Sequence, residues 1–234
     1  MSFDESILKS DERAVYELRA LYREYGYSQF KMSKFEEYDL YSENKDFLVS
    51  DGVITFNDTN GKLLALKPDV TLSILKNFKD EAGSTERLYY NENVYRISET
   101  SHTYKEIMQT GLECIGDING DSEAEVIILA LKSLSLISND FVLDLSHVGL
   151  VSALLDGFAL EGTQRKTALN AIVAKNGDLL KEVCGEELFG SLKCLIKSFK
   201  NAKDALSAVE KICNSDEAKQ YAKELSDIYN RAEN

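Results

Sequence analysis

The chain contains no tryptophan, one proline and two histidines among 234 residues. Its four cysteines, Cys114, Cys184, Cys194 and Cys213, form no C-x-x-C pair. Neither these thiols nor His102 and His147 fall at the spacing of a structural zinc site, so no metal is expected, only reduced and mostly buried thiols. No apolar run approaches the roughly 18–20 residues that a membrane-spanning helix needs. The opening segment MSFDESILKSDERAVYELR is charged along its length and lacks the apolar stretch of a signal peptide. Basic residues are also scarce: 27 Lys and Arg stand against 40 Asp and Glu, for a net charge of −13. That balance excludes a uniformly basic nucleic-acid footprint and a polybasic membrane patch. The expectation is a cytoplasmic, acidic protein.

What is present is ordinary globular material, 44% hydrophobic and 29% charged, enough for one large domain or two small ones. A first helix is expected over residues 11–25, capped by Ser10 and stopped by Gly26, with Val15, Leu18, Leu21, Tyr22 and Tyr25 on one stripe. Residues 53–56 and 63–66 flank Asn60-Gly61, a hairpin signal. Pro68 precedes Asp69, which can cap a short helix carrying Val70, Leu72, Leu75 and Phe78. Residues 87–97 and 105–115 read as an antiparallel strand pair around a polar loop, 98–104. Ser122 and Glu125 form an S-x-x-E box ahead of an apolar run at 126–136, and residues 141–145 read as a further strand. Beyond His147 strand signals nearly vanish, and helices are expected over 148–158, 164–175, 186–199, 202–212 and 217–231. All tyrosines except Tyr221 and Tyr229 precede that point. The division is therefore an α+β core over 1–146 and a helical module over 147–234.

The stretch 66–116 carries the chemistry. It offers a helix N-terminus at Asp69–Thr71, a strand bearing Arg96, and a facing strand with Gln109, Gly111 and Glu113. These last three alternate at period two and so share a face. Polar residues on one face of a central strand are unusual unless they line a pocket; a solvent-facing surface is the alternative. Arg96 could grip a carboxylate or phosphate through its planar fork. Asp69 and Glu113 could hold an ammonium or imidazole, so a zwitterion such as an amino acid fits the set. His102 and His147 have no nucleophile or acid partner at motif spacing. They read as surface or capping residues, and no catalytic residue is assigned.

The segment RLYYNENVYRISETSHTYKEIMQTGLECIG resembles motif 2 of class II aminoacyl-tRNA synthetases in its histidyl form. Upstream, YGYSQFKMSKFEEYDLY resembles the motif 1 region, and LALKPDVTLSIL resembles the family's arginine-proline-acid-x-threonine signature. The three occur in the family's order over roughly residues 10–116. The resemblance implies a class II synthetase-like antiparallel sheet flanked by helices. It also implies a homodimer through the motif 1 region, for which Phe35, Tyr38, Leu40 and Tyr41 supply apolar material. Asp69 and Thr71 match the positions that hold the amino group of histidine. Arg96 matches the arginine that contacts α-phosphate and substrate carboxylate, and Gln109 and Glu113 match positions lining the amino-acid pocket.

The departures point within the family. Lys67 stands where an arginine is usual and Asp69 where a glutamate is usual. The loop at Thr100, Ser101, His102 and Thr103 lacks the arginine that serves the ATP γ-phosphate. No glycine- and arginine-rich motif 3 and no histidyl-specific arginine loop follow. DLSHVGLVSALLDGF resembles the corresponding stretch of ATP phosphoribosyltransferase regulatory subunits, whose helical insertion the module fits. The chain ends where that family re-enters its sheet, as a shortened lineage or a fragment would. The resemblance implies a non-catalytic regulatory subunit for the first step of histidine biosynthesis. Its partner would be a short-form catalytic ATP phosphoribosyltransferase subunit, with histidine as a ligand and neither tRNA nor a cofactor. The alternatives are a histidyl-tRNA synthetase or a fragment of one, or another synthetase-like paralogue that binds an amino acid.

Overall fold

The computed structural model describes residues 7–44, 52–79, 82–98 and 101–233. The start of the charged N-terminus, residues 1–6, and Glu99 and Thr100 of the polar loop lie outside the described residues. The chain divides into two units, Met1–Phe141 and Val142–Asn234.

The first unit is organised around a long antiparallel hairpin. β5 (Thr85–Ile97) and β6 (Tyr104–Gly116) pair from Thr85↔Gly116 to Ile97↔Tyr104, as the alternating pattern predicts. β1 (Ser28–Gln29) lies parallel to β5 on its other side, giving the order β1-β5-β6. The strand expected to be central, β6, is thus the outer strand among the described residues. Period-two alternation sends Tyr89 and Leu112 to one face of this sheet and Leu88, Tyr90, Val94 and Ile115 to the other. On the first face, Leu18 and Tyr22 of α1 (Ser10–Glu24) and Leu129 of α4 (Gly120–Ile137) close a core with Tyr27 and Tyr89. On the second, Val70 and Ile74 pack on Tyr90 and Val94. Each such large apolar side chain, fully buried, contributes on the order of 1.5–3 kcal/mol.

Helix ends account for most differences from the sequence expectations. Gly26 does adopt the left-handed stop, at φ 83°. Ser10, however, is already helical; Lys9 is the cap residue, and its backbone N–H is taken by Glu12 at 2.9 Å. The S-x-x-E box at Ser122 is likewise displaced. Asn119 caps α4, accepting from the N–H groups of Asp121 at 3.1 Å and Ser122 at 3.0 Å. Glu125 instead accepts from the Tyr27 hydroxyl at 3.1 Å and from Arg87 Nε at 2.9 Å. Within α3 (Thr71–Asn77), Leu72 and Ile74 are buried, whereas Leu75 is exposed.

A second sheet, in the order β2-β4-β3, comprises β2 (Phe35–Glu37), β3 (Thr55–Asn57) and β4 (Leu63–Leu66). The Asn60-Gly61 turn forms with Gly61 at φ 82°, and Asp58 accepts from the N–H groups of Asn60 and Lys62, each at 2.8 Å. Ala65 faces inward against Leu72 and Tyr41 of α2 (Tyr38–Ser42). Tyr41 is 0% exposed and therefore belongs to this core, not to the dimer contact expected of it. Tyr38 and Leu40 also lean on that core, while Phe35 remains 49% exposed and meets Phe56 edge-on at 5.3 Å.

The second unit consists of helices α5 (Val148–Gly157), α6 (Gly162–Val173), α7 (Gly177–Leu192), α8 (Ala202–Glu210) and α9 (Asp216–Glu233), with a 3-10 turn at Lys193–Leu195. Leu150 and Leu154 of α5 pack against Ala218 and Ala222, whose small side chains let α9 approach. Leu155 joins Leu160, Ala168, Ala171, Ile172, Leu180 and Leu192 in another cluster. Gly185, at φ 76°, breaks α7, and the half before it was not expected from sequence. Residues 141–145 form no strand, and Val142 is 83% exposed.

Candidate ligand-binding face

The face of the β5–β6 hairpin that packs on α3 is polar along its outer rows. Gln109, Gly111 and Glu113 alternate along β6, and Glu92, Tyr90 and Leu88 stand directly opposite them. Arg96, on the same face of β5, lies farther toward the hairpin tip. The segment leading into α3 crosses this face. The Lys67 carbonyl accepts from Tyr95 N–H at 2.9 Å, and the Pro68 carbonyl accepts from Arg96 Nε at 3.0 Å. These bonds bring Asp69 and Thr71, distant in sequence, over the strands.

Asp69 Oδ1 accepts the backbone N–H of Leu72 at 3.0 Å, the capping role expected of it. Thr71 Oγ1 donates to Glu113 Oε1 at 2.6 Å. Burial pushes the Glu113 carboxyl above its usual range; the Thr71 hydrogen bond opposes this, and the Asp69 charge adds to it. Gln109 Nε2 donates to the Tyr90 hydroxyl at 3.3 Å. Arg96 spends only Nε on the fold, so among the described residues its two terminal NH2 groups carry no hydrogen bond. All five candidate residues therefore come to one face. What they leave unspent is one guanidinium fork, one oxygen each on Asp69 and Glu113, and part of an amide.

Two features were not read from the sequence. Lys67 is 1% exposed and pairs with Glu92, which stands beside Gln109 in the sheet. Tyr90, directly across from Gly111, lays its ring over that glycine: a Cβ at position 111 would lie 2.5 Å from the Tyr90 hydroxyl oxygen. The second signal is legible once the register is known, since an aromatic opposite a glycine can fold across it.

Of the two histidines, His102 lies exposed in the loop at φ 50°. His147 caps α5, its Nδ1 accepting from Leu150 N–H at 3.0 Å. Both placements are the surface and capping positions expected of them. The four thiols are free and half-buried. Among the described residues no cluster of metal-ligating side chains occurs, and no helix is long and apolar enough to cross a membrane.

The profile of the histidyl-tRNA synthetase family matches residues 4–234. The chain belongs to that family. An ATP phosphoribosyltransferase regulatory subunit from Oceanobacillus iheyensis is 31% identical over 178 residues, covering 75% of this chain and 43% of the relative. Histidine–tRNA ligases also occur among the matching proteins. This family member spans about half the length of the curated relatives it matches. A solved structure described as an ATP phosphoribosyltransferase regulatory subunit/histidyl-tRNA synthetase, from Bacillus halodurans C, superposes with a TM-score of 0.78. It is 21% identical, covering all of this chain and 66% of the other. A chain of the ATP phosphoribosyl transferase (HisG:HisZ) complex from Thermotoga maritima superposes with a TM-score of 0.62 at 18% identity, covering 86% of this chain and 77% of the other. The fold is therefore class II synthetase-like: an α+β body with helix-flanked sheets, followed by helices.

Proposed function

We propose that this chain is a non-catalytic regulatory subunit of a cytoplasmic ATP phosphoribosyltransferase, acting at the first step of histidine biosynthesis. The carrying observation is one hairpin face that gathers Asp69, Thr71, Arg96, Gln109 and Glu113, together with a hairpin loop without arginine. Residues 98–104 read Ser-Glu-Thr-Ser-His-Thr-Tyr. A synthetase must stabilise the pentavalent phosphate charge of adenylate formation, and a hydroxyl in place of a guanidinium leaves that charge uncompensated. The relative from Oceanobacillus and the complex from Thermotoga support the same reading, and they suggest a catalytic phosphoribosyltransferase subunit as partner.

The face suits histidine by charge. Histidine presents a carboxylate, an ammonium and a ring that can donate from nitrogen. The free fork of Arg96 matches the carboxylate. Asp69 with Thr71 would take the amino group and Glu113 the ring, with Gln109 adding a neutral hydrogen bond. Neither metal nor cofactor is required by this reading, and an acidic chain gives tRNA little to bind. The outward Phe35–Phe56 pair is the proposed homodimer contact.

The competing reading, a synthetase, draws on the same family and face. Reconstitution separates them. With a short catalytic phosphoribosyltransferase, this chain should raise phosphoribosyl transfer and make it histidine-sensitive. Alone it should give no histidine-dependent ATP–pyrophosphate exchange. Exchange that Arg96→Ala abolishes would reverse the assignment.

A further inference from the structure

We infer that Asn60 is a site of spontaneous covalent modification: the backbone nitrogen of Gly61 attacks the Asn60 side-chain amide, and water then opens the resulting ring to leave aspartate or isoaspartate in the turn between β3 and β4. The bond that forms joins Gly61 N to Asn60 Cγ. The nitrogen gives its proton to solvent, the amide leaves as ammonia, and one water is consumed in opening the succinimide. The reaction needs no oxidant, metal or second protein, and it is independent of the proposed ligand face.

The chain offers this chemistry three Asn-Gly pairs, Asn60-Gly61, Asn119-Gly120 and Asn176-Gly177. Glycine favours the attack because it carries no Cβ to crowd the nitrogen. The fold then separates the three. Asn119 and Asn176 are helix caps: Asn119 Oδ1 accepts from Asp121 N–H at 3.1 Å and Ser122 N–H at 3.0 Å, and Asn176 Oδ1 accepts from Leu179 N–H at 3.0 Å. Each of these amides is turned toward the start of its own helix and cannot swing back over the next nitrogen until the cap breaks. Gly177 is also hemmed in, since a Cβ there would meet Ile196 Cδ1 at 3.3 Å.

Asn60 is under neither restraint. It is exposed, and among the described residues its side-chain amide makes no hydrogen bond. Its neighbours build the turn. Asp58 Oδ1 accepts the N–H groups of Asn60 and Lys62, and the Asp58 carbonyl accepts from Gly61 N–H at 3.1 Å. Gly61 takes the left-handed region at φ 82° and Asn60 does not, so this is not the type I′ turn in which asparagine itself would be left-handed. The Asn60 carboxamide is therefore spare. A Cβ at Gly61 would meet nothing within 4 Å, so the space around the attacking nitrogen is open. Either product puts a carboxylate two residues from the one that gathers the turn, and isoaspartate also adds a methylene to the backbone. β3 is joined to β4 through Thr55, Phe56 and Asn57, and a loosened turn weakens that short pairing.

The test ages the folded chain in mildly alkaline buffer and follows three tryptic peptides by mass spectrometry: residues 46–62, 106–132 and 176–181, each holding one Asn-Gly pair. The 46–62 peptide should gain the mass of an amide turned to an acid and split by chromatography into aspartate and isoaspartate forms. The two capped sites should react at least about fivefold more slowly, the factor that corresponds to a cap of about 1 kcal/mol. In urea, which removes the caps, the three rates should converge. Aged wild type should show an added acidic species on isoelectric focusing and a lowered thermal midpoint. Asn60→Ser, which suits the turn equally well, should show neither change. An Asn60 amide that stays intact while a capped site reacts, or equal rates at the three sites in the folded chain, would overturn the inference. So would fragmentation that locates the new acid of the 46–62 peptide at Asn57.

Discussion

Thr71 donates its hydroxyl hydrogen to Glu113 across 2.6 Å, tying the start of α3 to the outer strand of the hairpin. The bond occupies one carboxylate oxygen of Glu113, and the proposed ligand would take the other. Thr71→Val keeps the shape and removes the donor. Histidine affinity should fall about three- to tenfold, the worth of one buried hydrogen bond, as measured by calorimetry on the assembled protein.

The raised Glu113 carboxyl sets a pH dependence whose sign is fixed. Its folded pKa lies above the ordinary value of 4.5. The folded protein therefore binds this proton more tightly than the unfolded chain, and stability falls as pH rises from about that value through the raised one. Glu113→Gln should flatten this part of the midpoint-versus-pH curve and raise the midpoint at neutral pH, while weakening ligand binding. A Glu113→Gln midpoint below that of wild type at neutral pH would contradict the sign.

Lys67 and Glu92 form the most buried ion pair described. Removing one member strands the other charge, which costs about 3–5 kcal/mol in comparable buried pairs. Glu92→Ala should be destabilised by that order in urea unfolding. The double variant Lys67→Met with Glu92→Leu should recover much of the loss, because an apolar pair leaves no charge unpaired.

Asn119, rather than Ser122, caps α4. Asn119→Ala should cost about 1 kcal/mol, the usual effect of losing a cap. Ser122→Ala should cost less, since its hydroxyl only adds a 3.3 Å bond to the same Asn119 oxygen. Paired urea titrations of the two variants decide between them.

The exposed Phe35–Phe56 pair predicts association. Wild type should sediment as a dimer, and Phe35→Asp should shift it toward monomer without lowering the thermal midpoint, because Phe35 is already half in solvent. A monomeric wild type at high concentration would remove the small sheet from the list of contacts.

The hairpin was legible because it obeys one local rule over thirteen residues in each strand: alternation decides which side chains face α3, so Gln109, Gly111 and Glu113 could be placed together from spacing alone, whereas the facing of Arg96 needed the register. What escaped were relations that no local rule encodes. Lys67 and Glu92 are 25 positions apart. Tyr90 over Gly111 depends on a register that only the folded pair reveals. Tyr41 was expected at a dimer contact because it falls in the motif 1-like stretch, but it is claimed by Ala65 and Leu72 from other elements. Asn119 and Ser122 are both good caps, and the earlier one prevails because its oxygen reaches two orphan N–H groups. The strand signal at 141–145 was local, and β structure also needs a paired neighbour that no local pattern supplies.

The register of β5 and β6 also determines where this molecule can tolerate a change in length. Deleting one residue from the middle of β6 would reverse the facing of every position beyond the deletion. Glu113 would turn toward Tyr22 and Leu129, and Cys114 would take its place against Thr71. A ligand-facing row and an apolar row would exchange places, and both would fail at once. At the hairpin tip, around Ser101–Thr103, an insertion or deletion touches neither row. The tip is therefore free to gain or lose length and charge, while the row beneath it can be altered only by substitution, one side chain at a time. A hairpin built this way can change at its tip without disturbing the facing of the rows below it.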